Sequence, residues 1–127
     1  MLIVINKGYI GKKDISEKVY DIEVSILREI ELNDNLRKDI IDVENIPIEW
    51  DDKDEVDNFL FPQAVKDKII QRAPDYLECK AKLCGMDEVC TLSTQPSRQD
   101  VYAQSIAITA TLTKYNPRQL RLFCWVK

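Results

Sequence analysis

Histidine is absent from all 127 residues. That removes Ser-His-Asp and Cys-His catalysis, every imidazole metal ligand and the usual general base near neutral pH. Glycine is scarce as well, with three in the chain. Two of them fall in Asn6-Lys7-Gly8-Tyr9-Ile10-Gly11-Lys12-Lys13. A phosphate-cradling loop needs four residues between its glycines and a hydroxyl after the lysine. Here only Tyr9 and Ile10 intervene and Lys13 takes the hydroxyl's place, so the segment reads as a basic turn. No apolar run approaches the roughly 18 residues of a membrane span. Met1-Leu2-Ile3-Val4-Ile5 is shorter than the roughly 7–15 apolar residues of a signal peptide. The expectation is an intracellular or already processed chain of unknown compartment, with 1–13 an N-terminal arm or short strand.

What is present is an ordinary globular composition, 45% hydrophobic and 31% charged. One domain over 1–127 is expected, long enough to bury a core without staples. The net charge of −4 is unevenly spread. Residues 1–57 carry 16 acidic and 8 basic side chains, and 58–127 carry 6 and 10. Such halves suit a solvated surface, or an acidic face meeting a basic one on a neighbouring subunit.

The strongest pattern is at the C-terminus. Ile106, Ile108, Ala110 and Leu112 alternate with small or hydroxylated residues, and Leu120, Leu122, Cys124 and Val126 alternate with Arg121, Phe123, Trp125 and Lys127. Period two marks strands with one buried face. Asn116-Pro117 is a turn starter, which places the loop at Lys114–Arg118 and pairs Leu112 with Leu120 and Ile106 with Val126.

Upstream, Ile15, Val19, Ile22, Ile26 and Ile30 recur at helical spacing behind an Asp14-Ile15-Ser16-Glu17 capping box. Ile22, Val24, Ile26, Ile30 and Leu32 also fit a strand. Asn33-Asp34-Asn35 can cap a second helix at 36–41. The acidic run Asp51 to Asp57 lacks the glycine and ligand spacing of a calcium loop, and reads as the first turn of a short helix. Phe61-Pro62-Gln63 opens a further helix that Pro74 ends. Val89 to Thr94 reads as a third strand. Residues 14–74 are thus expected to be mainly helical and 88–127 mainly β.

Cys79, Cys84, Cys90 and Cys124 leave three chemistries open. Their spacing misses the paired knuckles of zinc sites. Four cysteines also allow disulfides in three pairings, or free thiols packed as small hydrophobes. Cys124, on the core face of the last strand, suits plain packing. Lys80 and Lys82 could depress a neighbouring thiol's pKa only if the fold aims them.

On the hairpin's other face, Arg121, Phe123 and Trp125, with Tyr115 and Arg118 toward the tip, interleave basic and aromatic groups. Such a face can stack bases, but a pI near 4.9 weighs against nucleic acid as a partner. A second packed layer or a protein interface is the commoner meaning.

The expected fold is α+β: an antiparallel sheet built on the C-terminal hairpin, covered on one face by N-terminal helices. This order, with cysteines near the end, resembles that of pilin-type fibre subunits. No residue motif carries the likeness, and the long apolar helix start is missing. The functional expectation is a non-enzymatic structural or protein-interaction subunit of a larger assembly, of fibre or virion type. Its partner is protein, no cofactor is implied, and Phe123→Ala or Trp125→Ala should weaken association without unfolding the chain. A cysteine-dependent redox or metal-binding protein is the alternative, and a single-stranded nucleic-acid binder a further one.

Overall fold

The computed structural model describes residues 2–50, 61–93, 95–96 and 98–127, with side chains from Ile15 onward. The acidic run at 51–57 lies outside the described residues. Helix α1 spans Leu2–Leu32, α2 Asp34–Ile41 and α3 Gln63–Arg72. Strands β1 (Ile48–Glu49), β2 (Leu77–Cys84), β3 (Tyr102–Ala110) and β4 (Tyr115–Val126) form one antiparallel sheet in the order β1-β2-β4-β3. The expected α+β class holds.

The N-terminal segment departs from the expected arm or strand. Residues 2–13 are helical and continuous with 14–32, so Asp14-Ile15-Ser16-Glu17 sits inside α1 rather than at its start. A glycine inside a helix costs only about 1 kcal/mol, so neither Gly8 nor Gly11 forces a turn. The strand reading of 22–32 also falls. Val19, Ile26, Leu27 and Ile30 are buried on the helix's sheet side, whereas Ile15 is half exposed. Asn33 then separates the helices, and its Oδ1 accepts from the amides of Asn35 (3.0 Å) and Leu36 (3.1 Å). Such an N-cap satisfies donors that have no partner within the helix.

Helix α3 is fastened to α1 by Glu29, whose carboxylate meets Lys68 Nζ at 3.1 Å and Arg72 Nε at 3.0 Å. The principal core lies between the helices and the sheet. It joins Val19, Ile26 and Ile30 to Ile40, Val65 and Ile69, and these to Leu77, Ala81, Leu83, Ile108, Leu120 and Leu122. Trp50 closes one end, with its ring centroid 6.4 Å from that of Phe61 and the Lys66 ammonium 5.4 Å away.

Strand β2 went unrecognised in the sequence. Leu77, Cys79, Ala81 and Leu83 face the core and Glu78, Lys80 and Lys82 the other side, a period-two pattern masked by its charges. Conversely, Val89 to Ser93 forms no strand, and Thr94 lies outside the described residues. That stretch belongs to the connection from β2 to β3.

The hairpin turn also moves. Ile106 faces Leu120 and Tyr102 faces Cys124, six places from the expected register. An even shift preserves which side chains share a face, so Ile108, Leu120, Leu122 and Cys124 are buried as anticipated. Leu112 is instead fully exposed, in a turn where the Thr111 amide donates to the Lys114 carbonyl at 2.8 Å. Asn116-Pro117 lies within β4, where Ala110 pairs with Tyr115 and Ile108 with Arg118, leaving one extra residue on β4. Proline, lacking an amide donor, is tolerated at such a bulge. It also lies beyond the reach of β2, whose pairing with β4 stops at Gln119.

Candidate functional site

The last strand to be made is the central one. β4 lies between β2 and β3, so the 85–101 connection must cross its outer face to reach β3. There Leu92 packs on Phe123 and Trp125, with Val101 and Ala103 beside them. The crossing is fastened at several points. Gln119 Nε2 donates to the carbonyls of Gly85 (3.0 Å) and Glu88 (2.9 Å), and Lys82 Nζ donates to the Thr91 carbonyl at 2.7 Å. Glu49 accepts from both the amide (2.8 Å) and the hydroxyl (2.7 Å) of Ser93. A disulfide joins Cys84 to Cys90.

This layer decides the fate of the proposed contact residues. Phe123 and Trp125 are buried within the chain, so neither offers a free face to a base or a partner. Truncating either would open the outer layer, moving the expected effect from association to stability. Arg121 is half-buried, its guanidinium carbon 5.6 Å from the Phe123 ring. Tyr115 alone among the five stands exposed, at 77%.

Arg118 is buried for a different reason. Its Nη1 donates to the Ile40 carbonyl at 3.1 Å and to the Val43 carbonyl, while Asn116 Nδ2 donates to the Ile41 carbonyl at 3.1 Å. The bulge thus aims two side chains at the C-terminal end of α2, where carbonyls lack helical partners and a cation is favoured. Burial holds the Arg118 pKa below its ordinary value. Arg118→Met is expected to cost about 2–3 kcal/mol by removing the charged donor to the Ile40 and Val43 carbonyls. Urea denaturation checks it, and an unchanged midpoint would refute the capping role.

All four cysteines are in disulfides, the second joining Cys79 to Cys124. They are directly opposed residues on β2 and β4, so Cys124 is a cross-link rather than a simple packing residue. Neither a thiolate nor a thiolate metal set is present. Among the described residues, no three His, Cys, Asp or Glu side chains are grouped to hold a metal.

Beside Cys124 lies a group that the sequence did not single out. Glu23, on the sheet-facing side of α1, has no solvent exposure, and the Cys124 amide is near its carboxyl without reaching good hydrogen-bond geometry to either oxygen. Burial pushes its pKa up from 4.5 to about 9, against smaller opposing effects of the nearby Cys124 amide and the Arg121 charge. The carboxyl is therefore protonated at neutral pH. In the sequence it is one of many helix glutamates. Only its place in the Val19–Ile26–Ile30 stripe hints at burial.

A cleft of ≈ 500 Å³ lies between α2, the segment around the cis Ile46–Pro47 bond and the start of α3. Asp39, Asp42 and Glu44 line it with Asn45 and Gln63, and Lys114 approaches Asp42 at 3.8 Å. Its described lining pairs no nucleophile with a base. Comparison with known proteins found no matching family model, no similar curated protein and no similar solved structure. Among the described residues, no helix is long and apolar enough to cross a membrane.

Proposed function

We propose that the protein is a non-enzymatic structural or protein-interaction subunit of a larger assembly. The observation carrying this reading is the tip of the β3–β4 hairpin. Leu112 is fully exposed on a turn braced by the Thr111–Lys114 hydrogen bond, and Tyr115, the first residue of β4, is 77% exposed beside it. An aromatic and an aliphatic side chain held outward at the hairpin tip suit the anchor of a protein contact. Pairing of all four cysteines favours an oxidising compartment, and with it a fibre or surface assembly.

Sedimentation of the wild type beside a Leu112→Ser, Tyr115→Ser double variant tests the reading. The wild type should sediment as a multimer, and the variant should shift toward smaller species with an unchanged unfolding temperature. A wild type that is strictly monomeric would overturn it.

A further inference from the structure

The two edges of the sheet differ in kind. On one side β1 is two residues long, too short to template another strand. On the other, β3 runs for nine residues and belongs to a stretch, 101–113, that contains no charge and no proline. Natural edge strands are usually blunted by charge, proline, brevity or cover, because their unpaired amides and carbonyls recruit other strands. β3 has none of the first three.

The ladder shows which of its groups are free. Lys127 donates its amide to Tyr76, and Trp50 donates to Ala81. Antiparallel bonds alternate along a pair, so Glu78, Lys80 and Lys82 bond β4 while Cys79, Ala81 and Leu83 turn toward β1. The 4.1 Å Cα separation of Cys79 and Cys124 is that of a non-hydrogen-bonded pair. On β4, Leu120, Leu122 and Cys124 must then bond β3, through Ile106, Gln104 and Tyr102. The intervening residues Ala103, Ser105 and Ala107 direct their amides and carbonyls outward. Among the described residues, no hydrogen bond from elsewhere in the chain reaches them. Their side chains are small, and those of Ser105 and Ala107 are exposed.

We infer that this edge pairs with β3 of a second copy, antiparallel about a two-fold axis near Ser105. The inference rests on the assembly reading above and identifies one interface within it. With Ser105 facing its own copy and Ala103 facing Ala107, all three outward-facing residues engage in each chain. Tyr102 then meets Ile108 and Gln104 meets Ile106, so no charge confronts another. β1 cannot substitute as partner, because its ladder would end after two residues. The pairing makes an eight-stranded sheet with both α1 helices on one face. Partly exposed Tyr20 and Val24 lie on the flank of α1 toward this edge, Tyr20 edge-on to Tyr102 with centroids 5.4 Å apart. They add apolar surface beside the axis.

Amide exchange over a concentration series, combined with sedimentation, tests the pairing. Protection at Ala103, Ser105 and Ala107 should rise with dimer population. Ala107→Pro deletes an outward amide without touching the β3–β4 ladder. It removes two hydrogen bonds per dimer and should weaken association by roughly tenfold or more. Ser105→Lys sets two like charges together at the axis and should act in the same direction, with unfolding temperatures confirming that both variants fold. A multimer whose three amides stay unprotected, and which tolerates both substitutions, would overturn this interface while leaving the assembly reading intact. A wild type that is monomeric at every concentration would overturn both.

Discussion

Replacing Cys79 and Cys124 together by alanine is expected to lower stability by about 4 kcal/mol, against about 2 kcal/mol for the Cys84, Cys90 pair. The difference comes from the chain each bridge closes. Cys79–Cys124 spans 45 residues and Cys84–Cys90 spans six, and the entropy removed from the unfolded ensemble grows with the logarithm of loop length. The longer bridge also fastens β2 to the central strand, so its loss should loosen the whole sheet. The shorter one only secures the start of the outer crossing. Urea denaturation of both double variants provides the comparison. Equal losses, or a greater loss for the shorter loop, would mean that native contacts rather than chain entropy set the contribution.

Glu23→Gln is expected to stabilise the protein at pH 8 by several kcal/mol and to change little at pH 4. The sign is set by where the proton resides. Below pH 4.5 the carboxyl is protonated both in the folded state and in the unfolded chain, so it adds no pH dependence. Between 4.5 and about 9 the unfolded chain has released its proton while folded Glu23 retains it. Stability therefore falls as pH rises through that window, by up to tenfold in the folding equilibrium constant per pH unit. Above about 9 the folded carboxyl ionises too and the loss levels off. Arg121, the nearby cation, and the Cys124 amide soften this effect without cancelling it. Thermal unfolding of wild type and variant from pH 4 to 9 measures it. Parallel curves would show that the carboxyl is solvated or paired in solution.

These two effects meet at one place. Glu23 lies against Cys124, so a costly buried carboxyl and the longer disulfide share the same part of the sheet. The cross-link offsets much of what the acid costs at neutral pH. Reduction should therefore be more damaging at pH 8 than at pH 5.

How much of this was written in the sequence depends on the range of the interaction involved. Local patterns were reliable: the strand alternation of β3 and β4, the Asn33 cap of α2 and the proline at the start of α3. Each rests on residues within a few positions of one another. The face assignment of the hairpin survived a register error of six because side-chain parity is unchanged by an even shift. The position of the turn did not survive. Asn-Pro is a turn signal in isolation, but β4 accommodates it as a bulge where β2 no longer pairs.

Phe123 and Trp125 are taken from the contact surface for a longer-range reason. In the sequence Phe123 and Trp125 fit a second packed layer or a protein interface equally, because nothing near them in sequence covers them, and the structure has the packed layer. Their cover is Leu92, brought over by a connection that must cross β4 to reach β3. The same topology determined which cysteines meet, since four cysteines admit three pairings and only strand order selects among them. It also fixed the burial of Glu23, because one helical stripe contains both polar and apolar residues until a sheet is placed against it. The sequence by itself determined the α+β class, the inward faces of the hairpin strands and the exclusion of histidine chemistry. Strand order, disulfide pairing, the buried acid and the unprotected edge of β3 were decided only by the tertiary structure, because each depends on segments far apart in the chain lying side by side.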